Sequence, residues 1–272
     1  MSKSIDWFVT PKCNDKCKFC YAPLAFEDYK LSLQSYYQIC DRISQLGFKY
    51  VTLCGGEPTL NDYVVDIVKY LHAKGIRVVF YSNGIKKEIV KKVVPFIHYL
   101  SLPIDAIEES TGLLRSKEQN QKVIELLDEI AADKLDVKVK IGTVVSKVNK
   151  DNLELIYNLI KKYKMVNCWR LYQFSAGEVG GKNKHIYNLS EEEYWNCVNK
   201  LKQKVSDTEL LSCRTREENK GYCIIMNQKG DLFRYEEKYI DLQNNIFEVE
   251  MDDIKSLYDT DKNIVQKQWV TT

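Results

Sequence analysis

Cys13, Cys17 and Cys20 fall in one short run, Cys13-Asn14-Asp15-Lys16-Cys17-Lys18-Phe19-Cys20, and thiols so spaced can offer three thiolates to one metal centre. An iron–sulfur cluster normally takes four cysteines, so a set of three leaves one iron open to another ligand. A structural zinc site would want a closed set of four, and the nearest further cysteines, Cys40 and Cys54, do not continue the spacing. Three unrelated core thiols are the plainest alternative. The chain has nine cysteines, and Met1 to Thr10 contains neither an apolar run flanked by charge nor an arginine-rich amphipathic stretch. That combination points to a reducing, cytoplasmic setting, with free or metal-bound thiols and no membrane association.

Further polar and glycine-rich clusters follow in order. Cys54 precedes Gly55-Gly56-Glu57-Pro58, where glycines permit close backbone approach and Glu57 is an anionic acceptor. Tyr81 precedes Ser82-Asn83-Gly84, and Asp105 is followed ten positions on by Arg115. Taken singly, the two glycine motifs read equally well as tight turns, and Arg115 as a surface arginine. His72, His98 and His185 show no triad or metal spacing.

The elements that must position these residues alternate between short β-branched or aromatic runs and amphipathic stretches, the pattern of βα units around a parallel sheet. Strands are expected at Ile5–Val9, Lys49–Leu53, Ile76–Tyr81, Ile97–Leu102, Asp136–Thr143 and Asn167–Phe174. Helices are expected at Ser32–Leu46, Asp62–Ala73, Lys86–Val93, Lys117–Ala131 and Asn152–Tyr163, bounded by Ser32, Asn61, Gly75, Pro95 and Asn149. Ser175–Asn188 reads as a Gly- and Lys-rich loop and cap, followed by a helix Glu191–Lys204. A hairpin is expected from Tyr222–Met226 and Asp231–Tyr235 around Asn227-Gln228-Lys229-Gly230. The fold class is α/β: a partial (β/α)6 TIM-type barrel over residues 1–188, with residues 189–272 forming a small carboxyl-terminal extension with the hairpin. Eight units would close a barrel, six leave it open, and the motifs above all fall at carboxyl ends of strands, where such barrels place their sites.

Alternation sorts the last two barrel strands. Val137, Val139 and Ile141 should pack on helices while Lys138, Lys140 and Gly142 face the lumen; Trp169 and Leu171 point outward while Arg170 and Tyr172 point inward. A desolvated charge costs several kcal/mol, so Lys140 and Arg170 require acidic partners or an anionic ligand. Net charge is +2, from 40 basic and 38 acidic residues, which excludes a dedicated nucleic-acid binder, so any anion site is local.

The Cys-x3-Cys-x2-Cys run with Phe19 before its last cysteine resembles the signature of the radical S-adenosylmethionine (SAM) superfamily, and the later motifs extend the resemblance over most of the chain. The resemblance implies an enzyme in which Cys13, Cys17 and Cys20 hold a [4Fe-4S] cluster whose open iron takes the amino and carboxylate groups of SAM. Phe19 would lie near the adenine. Gly55, Gly56, Glu57 and Pro58 would receive the SAM amino group, Ser82 and Asn83 the ribose or carboxylate, and Asp105 with Arg115 the carboxylate end. Reductive cleavage of SAM would yield a 5′-deoxyadenosyl radical that removes a substrate hydrogen.

Val139 to Val145 and Trp169 to Gln173, with a tail lacking auxiliary cysteines, resemble the viperin branch, a lyase-type group associated with antiviral defence. That branch dehydrates a nucleoside triphosphate to its 3′-deoxy-3′,4′-didehydro form. Lys140, Arg170 and Tyr172 would then bind an anionic small molecule, and an electron donor such as flavodoxin or ferredoxin would reduce the cluster. Alternatives are a peptide-modifying or other small-molecule radical SAM enzyme, for which a peptide would be the partner, and a non-catalytic iron–sulfur or zinc-binding interaction module. Cys213 and Cys223 resemble the auxiliary-cluster region of peptide-modifying members, but no cysteine follows Cys223, and they read as buried free thiols, as Cys40, Cys168 and Cys197 read as core.

Overall fold

The alternation of apolar and polar residues becomes a sheet with two different faces. A computed structural model describes residues 4–23, 25–107, 111–221 and 223–257. Its strands are β1 (Ser4–Phe8), β2 (Tyr50–Cys54), β3 (Arg77–Tyr81), β4 (Tyr99–Pro103), β5 (Lys138–Val145), β6 (Val166–Gln173), β7 (Leu211–Arg214), β8 (Ile224–Met226), β9 (Asp231–Tyr235) and β10 (Tyr239–Asn245). They form one sheet in the order β10-β9-β8-β1-β2-β3-β4-β5-β6-β7. Strands β1 to β7 run parallel in sequence, β8 returns parallel to β1, and β9 and β10 continue antiparallel from β8. The result is α/β, a partial barrel open between β7 and β10.

The six expected barrel strands and the hairpin form, with ends shifted by a few residues; Tyr222 lies outside the described residues. Two expectations are corrected. A seventh parallel strand, β7, joins β6. The hairpin of the carboxyl-terminal extension continues the main sheet, because β8 adds to the free edge of β1. Ser175–Asn188 is not all loop: it contains two short helices, Glu178–Lys182 and Lys184–Tyr187.

Each main helix follows from its sequence. Over Leu33–Gln45, Tyr36, Ile39, Cys40 and Ile43 recur at helical spacing and are buried, and the Ser32 hydroxyl caps the start by accepting from the Ser35 N–H at 3.1 Å. Ser116 caps Lys117–Ala132 in the same way, and Ser190 with Glu193 forms a capping box on Glu191–Lys202. These helices cover the outer face of the sheet, where Ile5, Trp7, Leu53, Phe80, Leu100, Val139, Ile141, Trp169 and Leu171 are fully buried. Burial of one such side chain stabilises by roughly 1.5–3 kcal/mol. Among the described residues no helix is long and apolar enough to cross a membrane.

Candidate functional site

The site is built where strand ends meet the cysteine loop. Leaving β1, the chain is fastened to the end of β2: the Val9 N–H donates to the Cys54 carbonyl at 3.0 Å, Gly56 N–H to the Thr10 carbonyl at 2.9 Å, and Glu57 N–H to the Lys12 carbonyl at 2.7 Å. No side chain fits this junction. A Cβ on Gly55 would sit 2.3 Å from the Thr10 carbonyl oxygen, and one on Gly56 would sit 2.2 Å from that of Lys12. Gly55 also holds a φ of +154°, which disfavours other residues.

Every thiol of the loop receives a donor. The Asp15 N–H points to Cys13 Sγ at 3.5 Å, the Ala22 N–H to Cys20 Sγ at 3.4 Å, and Arg115 Nη1 to Cys17 Sγ at 3.3 Å. N–H groups aimed at sulfur suit cysteines that become iron-bound thiolates, and such bonds help set a cluster's potential. Among the described residues no three His, Cys, Asp or Glu side chains converge on one metal ion. Each cysteine of a four-iron centre binds a different iron, so three cluster thiolates need not converge on one point. Three thiols on one loop, each with a donor and roofed by a glycine junction, therefore fit a cluster. Burial raises Cys13 and pushes Cys17 up to about 12, so both are neutral thiols, and a metal bound there would have to displace their protons.

The residues around the loop form two knots. Glu57 is fully buried, and its carboxylate accepts from the Thr59 N–H (3.2 Å) and hydroxyl (2.7 Å), the Ser82 hydroxyl (2.9 Å) and the Asn83 N–H (2.6 Å). It therefore ties the end of β2 to the end of β3 rather than standing open to an ammonium. Asn83 Nδ2 donates to Asn14 Oδ1 at 2.7 Å, linking β3 to the cysteine loop. In the second knot Asp105 accepts from Arg115 Nε and from the Val144 N–H at 2.6 Å, while the Arg115 guanidinium lies 5.1 Å from the Phe19 ring centroid. Pro58 is buried and opens the turn after Glu57.

Lys140, Arg170 and Tyr172 meet on the lumen face as alternation predicts. Lys140 Nζ donates to the Tyr81 hydroxyl, which lies 3.3 Å from that of Tyr172, and the Arg170 guanidinium lies 5.9 Å from the Tyr172 ring. Burial drives the Lys140 ammonium below its ordinary value. Burial alone would raise the Tyr172 phenol, but the Lys140 and Arg170 cations outweigh it and hold the phenol low. A Cβ on Gly142, which pairs with Arg170, would meet the Tyr172 ring at an ordinary contact of 3.5 Å.

Sequence reasoning missed several residues here. Register places Ser212 beside Arg170 and Arg214 beside Tyr172, so Arg214 is a further buried cation on this face, carried by the unrecognised strand β7. Asp6 supplies a carboxylate: it accepts from Cys223 Sγ at 3.1 Å, and burial raises it despite Cys223, Thr52 and Lys140. Period-two alternation of Ile5, Asp6 and Trp7 was the available signal for Asp6. Cys223 and Cys213 are half-buried rather than buried, while Cys40, Cys168 and Cys197 are buried as expected, with Cys168 beside Lys140 on the lumen side. Gly180 is the other omission. Its N–H donates to the Cys20 carbonyl at 2.9 Å, and a Cβ there would lie 2.9 Å from the Phe19 carbonyl oxygen.

Comparison with known proteins agrees with this geometry. The profile of the radical SAM superfamily matches residues 7–160. The chain is 26% identical over 249 residues to an S-adenosylmethionine-dependent nucleotide dehydratase of Lacinutrix mariniflava, covering 85% of this chain and 50% of that protein. It is 24% identical over 269 residues to a protein of the same name from Flammeovirga pacifica, covering 90% of this chain and 87% of the relative. The chain thus spans half the length of the first relative and most of the second. The fold is similar to that of Streptococcus suis SuiB bound to its precursor peptide SuiA, with a TM-score of 0.70 at 16% identity over 96% of this chain and 66% of that one. The profile match spans more than half of the sequence, and the chain belongs to the radical SAM superfamily, enzymes that work with a [4Fe-4S] cluster and S-adenosylmethionine.

Proposed function

We propose that this radical SAM enzyme dehydrates a nucleoside triphosphate to its 3′-deoxy-3′,4′-didehydro form. The observation that carries the reading is the lumen below the cysteine loop, where Lys140, Arg170 and Arg214 face the substrate side of the barrel. Guanidinium groups match phosphate in planar, bidentate fashion, and Lys140 adds a point charge. The names of the Lacinutrix and Flammeovirga relatives support the same substrate class.

In this reading Cys13, Cys17 and Cys20 hold the cluster. Gly55 and Gly56 let backbone reach the amino acid end of SAM, and Glu57 and Pro58 fix the shape of that turn. Asp105 orients Arg115 toward the SAM carboxylate, Ser82 and Asn83 border the ribose, and Phe19 borders the adenine. When bound, cluster and SAM supply a 5′-deoxyadenosyl radical that removes a hydrogen from the substrate sugar. The chain's own residues would position the sugar, neutralise phosphate and exclude water. Tyr172, held low by its cationic neighbours, shares a hydrogen bond with Tyr81 at 3.3 Å and lies beside Arg170.

The test is to incubate reconstituted, reduced protein with SAM and each nucleoside triphosphate in turn, measuring 5′-deoxyadenosine and the nucleotide product by mass spectrometry. At least one nucleotide should raise 5′-deoxyadenosine formation and yield a product lighter by one water. If none does, the proposed substrate class is wrong.

A further inference from the structure

A dehydration removes a hydroxyl group, and a hydroxyl group leaves carbon most readily as water, which requires a proton at the moment of departure. Asp6 is placed to give one. It lies in the middle of β1 with its side chain on the lumen face, between the fully buried Ile5 and Trp7 of the outer face. The charge of Lys140 reaches it from β5, four strands along the sheet, so that interaction crosses the lumen. Lys140 and Arg170 are buried, whereas Asp6, Tyr81 and Tyr172 keep accessible surface, and a bound sugar meets those three first.

Charge is divided across this space. Lys140, Arg170 and Arg214 stand on β5, β6 and β7, and Asp6 stands opposite them on β1. A nucleotide lying across the gap has its phosphates on the cationic side and its sugar toward β1. The partners of Asp6 suit a neutral acid: the Cys223 thiol lies 3.1 Å from Oδ2 and Thr52 alongside, and neither carries a compensating charge. Burial outweighs both of them and Lys140, and holds the proton on Asp6 above the ordinary carboxylate range. The other groups facing it, Tyr21, Cys54, Tyr81 and Cys223, are raised too and are intrinsically far weaker acids than a carboxyl group.

We propose that Asp6 is the general acid that protonates the departing 3′-hydroxyl group of the nucleotide, a role that rests on the substrate reading above. A 3′-deoxy-3′,4′-didehydro product requires that the hydrogen be taken from C4′. The C3′–O bond of the resulting sugar radical breaks as Asp6 transfers its proton to that oxygen, and water leaves. One electron from the low-potential one-electron reductant that also serves the cluster, dithionite in the test below, completes the C3′–C4′ double bond. The Asp6 carboxylate then recovers a proton from solvent.

The experiment compares the cluster-loaded parent chain with Asp6→Asn, which keeps the shape of the side chain and loses its acidic proton. Single turnovers are run with SAM, dithionite and each common nucleoside triphosphate deuterated at C4′. In the variant, deuterium should pass to 5′-deoxyadenosine within about threefold of the parent rate, while dehydrated nucleotide falls about a hundredfold, the usual contribution of a placed acid. Product formation in the parent should decline as pH rises through the ionisation of Asp6, with deuterium transfer unaffected, and the variant should lack that decline. Lys140, the lowered cation facing Asp6, titrates in both proteins, so the difference between them belongs to Asp6. Apart from turnover, the cluster-free parent at pH 6 should show the infrared carbonyl absorption of a neutral carboxyl group that Asp6→Asn lacks.

Undiminished product in Asp6→Asn, a parallel loss of deuterium transfer and product, or identical carboxyl absorption would each overturn the role of Asp6 and leave the substrate reading standing. A parent protein that dehydrates no nucleotide contradicts the substrate reading itself, and the role of Asp6 falls with it.

Discussion

Glu57 shows what a single residue can and cannot disclose. Its place after two glycines marks it as part of a site, but its partners come from Thr59, Ser82 and Asn83, and the last two lie on another strand end. No local pattern reveals that four donors will converge on one carboxylate. Glu57→Gln replaces an acceptor oxygen with an amide donor facing those donors. It should cost about 1–3 kcal/mol, read by chemical denaturation of the iron-free protein. Lys140 was legible as an inward lysine because alternation requires it, whereas Tyr81, its partner across the lumen, was seen only as the residue before Ser82. Burial depresses Lys140, so the folded state binds this proton less readily than the unfolded chain. The resulting penalty is full below the depressed value, shrinks as pH rises through it, and vanishes above the unfolded value of 10.5. Lys140→Met should therefore raise the melting temperature at pH 7 and lose that advantage near pH 11, while weakening nucleotide binding at pH 7 by about tenfold or more. A variant that is less stable at pH 7 would contradict this account.

Elements were legible to the degree that they bury a face. Strands β2, β3 and β4 lie between neighbours and read as apolar runs, and the helices declare themselves through spacing and serine caps. Strand β7, with four residues, is too short for periodicity to register, and β10 mixes Asp241, Gln243 and Asn244 with its apolar residues and breaks register between Asp241 and Asn245. The helix Glu178–Lys182 was hidden by its two glycines, which lower helix propensity. Its use explains the choice, since Gly180 lets the helix press against the loop backbone. Gly180→Val should displace the helix and lower iron and sulfide content after reconstitution by about half or more, leaving the far-ultraviolet circular dichroism almost unchanged. Unaltered iron content would show that this seam does not support the loop. A lesser effect is expected where helices meet on the surface. Lys87 bridges Glu125 at 2.9 Å and Glu129 at 2.5 Å. Lys87→Ala should cost no more than about 1 kcal/mol in denaturant titration, because these half-exposed surface ion pairs are screened by solvent and contribute little.

At the scale of the molecule, the barrel class and the position of the site at the strand ends were legible because six βα units and the cysteine run share one polarity. The strand that the hairpin joins was not, since nothing local tells β8 to choose the edge of β1. With Cys13 and Cys17 as the proposed cluster ligands, their raised thiols would couple cluster retention to pH. Loading iron releases their protons, so loss of iron to a chelator should become more favourable by about tenfold per pH unit of acidification for each proton taken back. Visible absorbance during chelator titration at pH 6.5 and 8.5 measures this, and pH-independent retention would contradict it. The pairing of Ile5 with Ile224 also has a consequence for how the molecule is made. While a ribosome is still synthesising the chain, the first strand stands with one flank bare until almost everything else has emerged. Completion of the sheet around β1 therefore waits for Ile224–Met226, made long after the thiol loop that follows β1.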